Sequence, residues 1–416
     1  MIEICKREDC VGCGACLSAC NKGAITMQPD SLGFLYPVID QNKCVDCGLC
    51  ARSCFNTHMP LICEPLATYI GHALDNEEQK TSTSGGAASV FMKAIIKAGG
   101  IVYGCSGLNA REVKHIRIDK IEDVCKLKGS KYVQSYMGKT YRSVVADLKS
   151  DRLVLFIGTP CQVAGLKAFV RGREYDNLYT LDFVCHGVPS QKILNDAIDE
   201  KIKEQGNFSL FNRVKENGKR SRYTLRLVKD NRILCDDVYP SCGYITGFLC
   251  GLYYRKNCYN CKFARRERVS DITLGDFWDD YNDIKTLSNK KDGLSMIIVN
   301  TMHGQQLFDI DDSKFDFVSW NYEDFIRRNG QLDHPIRKNP KRGQFETVYL
   351  STNFGNAIDV TLHDTIKTIK KGILLNKLKK YLIRFPLLVG FCSQINKLYN
   401  IIRYKHKLFC RIHLFI

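Results

Sequence analysis

The chain lacks an apolar run of membrane length. No stretch approaches the roughly 18 residues that would read as a span; candidates such as FPLLVGFC, at 385–392, fall far short. A protein that does not cross a membrane is expected. The first ten residues, MIEICKREDC, lack the apolar stretch of a secretory signal. With 21 cysteines in the chain, that lack points to a reducing, cytoplasmic setting, where cysteine clusters serve metal or redox chemistry rather than disulfides. Acidic side chains are nearly missing from the end. Residues 364–416 hold twelve Lys or Arg against one acid, Asp364, and so carry +11 of a net +17. The other 363 residues carry only +6, which argues against nucleic acid as a partner of the main body.

What is present begins with a repeat. CVGCGACLSAC (10–20) and CVDCGLCARSC (44–54) both follow C-x2-C-x2-C-x3-C, one small unit used twice. Three cysteines in a tight loop can wrap one face of a cubane iron–sulfur cluster, while the fourth reaches the other cluster. The expected sets are Cys10, Cys13, Cys16 with Cys54, and Cys44, Cys47, Cys50 with Cys20. Gly12, Gly14 and Gly48 suit the close backbone approach and positive φ that such loops need. Four-thiolate zinc sites also draw on C-x2-C pairs, but their motifs rarely use the three-plus-one run twice. The segment resembles bacterial two-cluster ferredoxins, with Asn21 and Phe55 where a proline often follows the fourth cysteine.

At 416 residues the chain is too long for one core. We expect an α+β and α/β multidomain protein: a ferredoxin domain at 1–60, body regions at 64–150 and 151–348, and a basic helical tail at 349–416. TSTSGG (81–86) reads as a polar cap before a helix at 87–99, followed by a strand at 100–106. Strands at 152–158 and 177–185 flank a helix at 162–170, giving β-α-β units and a parallel or mixed sheet. Residues 213–234 read as a hairpin region, and 294–301 as a later strand.

Cys258 and Cys261, in NCYNCKF, have the spacing of half a metal site. Cys161 and Cys185 each stand where a strand ends, at the edge where α/β sheets place their sites, and are candidates for the other half. Cys235, Cys242 and Cys250 compete, although Cys242 and Cys250 sit in an apolar run where cysteine often packs as a small core residue.

Together, STSGG, VYGC, SKYVQS (130–135), FIGTPCQVAGLK (156–167), CHGVPS (185–190) and CYNCKFARRERVSDITLGDFW (258–278) resemble the beta subunits of coenzyme F-420-reducing hydrogenases and dehydrogenases, over roughly residues 1–310. Cys105 and Asp279 depart from that pattern. The resemblance implies an iron–sulfur flavoprotein oxidoreductase carrying FAD, with a third [4Fe–4S] centre on Cys161, Cys185, Cys258 and Cys261. A hydride brings two electrons and a cubane takes one, so a flavin is the usual device between them. Thr83, Ser84, Gly85 and Gly86, at a helix start, offer amides to a phosphate or flavin carbonyl or act as a simple cap. Lys131 and Tyr132 are candidate flavin contacts, or an exposed lysine and a packed tyrosine. His186 is the candidate catalytic proton donor, or a hydrogen-bonded support. Asp271 and Asp276 serve a turn, a cap or the flavin.

Arg265, Arg266 and Arg268 either recognise an anionic partner or balance thiolate charge. Expected partners are a soluble electron donor or acceptor (ferredoxin, F-420 or NAD(P)H) and a small organic substrate. Leu374, Leu375, Leu378 and Leu382 with Lys377, Lys379, Lys380 and Arg384 form a basic amphipathic helix. It lies on an anionic membrane or a partner, or packs as a terminal hairpin. Bacterial relatives with this fused layout are associated with surface-polysaccharide assembly. A non-catalytic electron-transfer subunit and a zinc-binding scaffold are the alternatives.

Overall fold

The computed structural model describes residues 2–204, 206–216, 221–277, 284, 286–288 and 292–382. Asp279, Arg384 and the 385–392 stretch lie outside the described residues, as do the side chains of Lys379, Lys380 and Leu382.

The N-terminal repeat folds as two short helices, Ala15–Ala19 and Leu49–Arg52, around a hairpin of β1 (Ile25–Pro29) and β2 (Leu35–Ile39). Gly14 and Gly48 enter the helices in the left-handed region, at φ 76° and 70°, where a Cβ would be strained. Asp30 makes the hairpin turn, its carboxylate accepting from the amides of Leu32 and Phe34.

The body is built on an eight-stranded mixed sheet. Its strands are β3 (Ala67–Ala73), β4 (Ile101–Ser106), β5 (Lys114–Ile118), β6 (Val154–Ile157), β7 (Leu178–Phe183), β11 (Ile272–Phe277), β12 (Leu294–Val299) and β13 (Phe315–Ser319). They run in the order β13-β3-β12-β11-β7-β6-β4-β5. β4, β6, β7 and β11 are parallel neighbours, and the remaining pairs are antiparallel. VLFI and LYTLDF are apolar almost throughout, as suits strands covered on both faces. The helix after β6 spans Pro160–Phe169, set by Pro160 in its first turn and a capping box between Thr159 and Gln162.

Two local expectations change. The helix Ala87–Lys97 has Gly86 as its cap, at φ 91°, and no side-chain cap, so TSTSGG is not a polar cap. The hairpin region is a three-stranded sheet of β8 (Ser209–Val214), β9 (Arg222–Lys229) and β10 (Arg232–Val238), ordered β10-β9-β8.

At the end, the helices Arg342–Ser351 and Phe354–Leu382 follow each other. Phe354, Ala357, Ile358 and Leu362 join the core beneath β8 and β9, whereas Leu374 and Leu378 are 58% and 44% exposed. Among the described residues no helix is long and apolar enough to cross a membrane.

A buried charge pair locks β7 to β11. Arg268 and Asp182 are both fully buried, with Nη2 3.4 Å from Oδ1, and Thr273 donates to the same carboxylate at 2.5 Å. Burial raises the Asp182 pKa, against which Arg268 and Thr273 act. Arg268→Met should therefore strand a buried acid and cost about 3–5 kcal/mol. The check is a drop in the midpoint of the body's cooperative unfolding; an unchanged midpoint would remove this pair from the account.

Candidate functional site

The loops of the repeat gather sulfurs. Cys13 is pushed well above its ordinary pKa by burial, and the sulfurs of Cys16, Cys10 and Cys54 add to the rise. Cys16 is raised by burial and by Cys10 and Cys54. The structure thus brings Cys10, Cys13, Cys16 and Cys54 into one group. Cys50, raised by burial, has Cys47 and Cys20 as neighbours that add to the rise. Cys44 opens the same loop as Cys47, its sulfur 3.8 Å from Asp46 Oδ1. Cys20 Sγ accepts from the Ala24 amide at 3.3 Å. A thiol that the spacing did not single out, Cys5, lies close enough to Cys10 and Cys54 for their sulfurs to raise its pKa.

The body gathers four more. Because β6 and β7 are parallel neighbours, the segments leaving them reach the same sheet edge. Cys161 sits in the first turn of the helix Pro160–Phe169, and Cys185 two residues beyond β7. Cys258 lies in the 3-10 turn Lys256–Asn260, with Cys261 just after it. Burial pushes Cys161 up to about 11, with Cys261 adding. It pushes Cys258 up to about 12, with Cys261 and Cys161 adding. Cys185 is raised well above its ordinary value by burial and by Cys258, Cys161 and Cys261. Cys242 instead packs in a separate core and accepts from the Ile245 amide, with Cys235 as its neighbour. Cys250 is engaged in a disulfide.

Buried thiols crowded in this way resist ionisation unless a cation compensates them, which suits an iron core. Among the described residues no three His, Cys, Asp or Glu side chains converge on a point suited to a single metal ion.

The repeat is docked on the body at these sulfurs. A Cβ at Gly165, on the helix of Cys161, would lie 3.0 Å from Cys13 Sγ and 2.8 Å from the Tyr141 hydroxyl. Phe55, next to Cys54, meets Phe263 edge-on with ring centroids 5.2 Å apart. Gly165→Ala should therefore lower the iron bound per chain while leaving far-UV dichroism intact. Full iron in that variant would mean that the contact is slack.

A cavity of about 1350 Å³ opens against the four body thiols. Thr83, Ser84, Gly86, Lys131, Tyr132 and His186 line it with Cys105, Cys161, Cys185, Cys258 and Cys261. Gly85 is not at the wall; a Cβ there would lie 2.4 Å from the Gly71 carbonyl, so its role is close packing against β3. The Ser84 hydroxyl donates to the Leu294 carbonyl at 2.6 Å. Lys131 is not an exposed lysine. Its ammonium donates to the carbonyls of Cys105, Leu127 and Lys128 at 2.7–3.0 Å, and burial lowers its pKa to about 8. The Tyr132 ring stacks on Phe248 at 4.2 Å.

His186 is exposed and lines the cavity. The protein packed near its ring lowers its pKa, opposed by Asp276 and reinforced by Arg213. Asp276 pairs with Arg213 at the same wall. Asp271 is taken up by Thr180 and Thr301, at 2.5–2.8 Å. Arg265 pairs with Glu267, Arg266 with Glu323 and Arg268 with Asp182, so local acids occupy the basic run. Arg268 nonetheless opposes the burial-driven rise of Cys261, and a second cation beside the thiols is Arg255, three residues before Cys258. In YYRKNC, next to Lys256, it gave no signal in the sequence.

The fold and these sulfurs define an iron–sulfur electron-transfer protein of the oxidoreductase kind. Residues 9–56 match the family described as 4Fe-4S dicluster domain. Residues 151–319 match the family described by the C terminus of the coenzyme F420 hydrogenase/dehydrogenase beta subunit. One stretch of the chain is thus similar to an iron–sulfur dicluster domain and another to the C terminus of the F420 beta subunits, and the resemblance drawn from the motifs holds in both regions. No curated protein matches the chain. A chain of the F420-reducing [NiFe] hydrogenase complex from Methanosarcina barkeri is similar at 16% identity, with a TM-score of 0.42, covering 62% of this chain and 83% of that one. That likeness is too loose to carry function.

Proposed function

We propose that the protein is an iron–sulfur flavoprotein oxidoreductase that exchanges a hydride with F-420, NAD(P)H or a small organic substrate in the cavity, and passes single electrons to its thiolate-held centres. The observation that carries this reading is the shared wall: the cavity ends on Cys161, Cys185, Cys258 and Cys261. Its volume exceeds the roughly 300–1,000 Å³ usual for one small ligand, room for a flavin with a partner beside it. The amides that start the helix Ala87–Lys97, behind left-handed Gly86, suit a phosphate. The Tyr132 and Phe248 rings offer an apolar flank. FAD, when bound, would supply the conversion between hydride and single electrons. His186 is the group at this wall placed to hold or release a proton, with the Arg213–Asp276 pair beside it. A subunit that only relays electrons has no use for such a cavity.

The test is anaerobic purification followed by flavin and metal analysis. We expect brown protein absorbing near about 400 nm, with about twelve irons and one flavin per chain. Colourless, zinc-bearing protein would overturn the reading, and iron without flavin or turnover would reduce it to an electron-transfer subunit.

Exposed Leu374 and Leu378, beside exposed Lys370, Lys371 and Lys377, support a peripheral contact with an anionic membrane from the cytoplasmic side. Surface-polysaccharide assembly, the setting that the resemblance implies, takes place at such a surface. The protein should then float with vesicles containing phosphatidylglycerol at low salt, and a Leu374→Gln/Leu378→Gln variant should not. Equal flotation of both proteins would exclude the helix as the anchor.

A further inference from the structure

We propose that Arg255 sets the reduction potential of the Cys10, Cys13, Cys16 and Cys54 centre, making that centre the electron acceptor next to the body thiols. The inference rests on the iron–sulfur reading above and goes beyond it by ordering the centres. Electrons leave the cavity wall through the Cys161 set, pass to the Cys10 set, and reach the Cys44 set last.

Arg255 is 1% exposed. Its Nε donates to the Cys10 carbonyl at 2.8 Å, Nη2 to the Leu35 carbonyl at 3.0 Å, and Nη1 to Gln134 Oε1 at 3.3 Å. Nη2 also stands 3.8 Å from Cys10 Sγ. The guanidinium lies over the Tyr36 ring, 4.2 Å from its centroid. Among the described residues none of its contacts is with a carboxylate. A buried cation with neutral partners alone costs several kcal/mol. A four-thiolate iron centre, which is anionic and gains a further negative charge on reduction, supplies the missing counter-charge.

The same residue is tied to the body set. Its own carbonyl accepts from the Cys258 amide at 2.9 Å. Arg255 thus stands between Cys10 and Cys258, bonded to the backbone of both sets. The ferredoxin unit touches the body through Cys13 and Phe55, from the Cys10 set; the Cys44 set meets it at the Cys20 carbonyl, which accepts from Arg142 at 2.7 Å, while its Cys47 is exposed. Cluster potentials follow net charge, hydrogen bonds to the sulfurs and burial. A fixed positive charge favours the more negative, reduced form, and so raises the potential of the centre beside it.

The experiment is an anaerobic redox titration followed by electron paramagnetic resonance, with iron and acid-labile sulfide counted in the same samples. Arg255→Met and Arg255→Lys are made in a Cys161→Ser background, so that the two ferredoxin centres are read alone. In Arg255→Met one signal should move to lower potential by a tenfold change in its one-electron equilibrium, about 59 mV, while the other stays. Arg255→Lys keeps the charge and should hold the parent potentials. Neither signal moving, or both moving alike, at full iron would overturn the proposal. If Arg255→Met loses iron, Arg255→Lys decides: parent iron and potentials support the charge, and lost iron overturns it in favour of the guanidinium fork as a structural clamp. A parent protein without iron would instead defeat the iron–sulfur reading itself.

Discussion

Cys161→Ser protein, purified without oxygen, should hold about eight irons where the parent holds about twelve. Four thiols line the cavity at that edge, and removing one leaves three for a centre that uses four. The loss should be confined to the body. Cys161 stands on a helix whose cap, Thr159 with Gln162, is formed by other side chains, and the serine is close in volume to the thiol it replaces. Ferredoxin-type signals should therefore persist. Cys242→Ser is the control: its sulfur serves a helix cap in another core, and its iron should equal the parent's. Full iron in Cys161→Ser, or an equal loss in Cys242→Ser, would dissolve the proposed third centre.

The second large effect is at His186. Its Gln variant should lose about 10²- to 10⁴-fold in turnover with a hydride donor, the usual worth of a positioned proton donor, with flavin and iron unchanged. The ring faces the cavity, and Cys185 beside it joins the thiol set, so a neutral replacement of similar size keeps the wall while removing the titrating group. Parent-level turnover would return His186 to a supporting role, and loss of flavin in the variant would make it a binding residue.

Much of this was legible in the sequence because it is local. The doubled C-x2-C-x2-C-x3-C run, the glycines at positive φ and the apolar strands ending near Cys161 and Cys185 depend on neighbours a few residues away. What the sequence hid is what distant segments do to one another. Arg255 reads as one more basic residue until Cys10 and Leu35, some 245 and 220 positions away, close around it. Arg265 and Arg266 read as cations free to balance thiolates until Glu267 and Glu323 take them up, whereas Arg268, paired with Asp182, still acts on Cys261. Lys131 reads as solvated until three carbonyls fold over its head. Gly85 looked like its neighbour Gly86, yet one meets the backbone of β3 and the other caps a helix at the cavity wall.

The most direct measurement of the central claim is rapid mixing of anaerobic parent and Cys161→Ser protein with reduced F-420 or NADPH, followed by absorbance. In the parent, flavin reduction should be followed by bleaching near about 400 nm as the thiolate-held iron is reduced. In Cys161→Ser the flavin should reduce at a similar rate while the ferredoxin-unit absorbance stays, and dithionite should then bleach it. Equal bleaching of both proteins by the hydride donor would show that electrons do not pass through the Cys161 set, and would contradict the account.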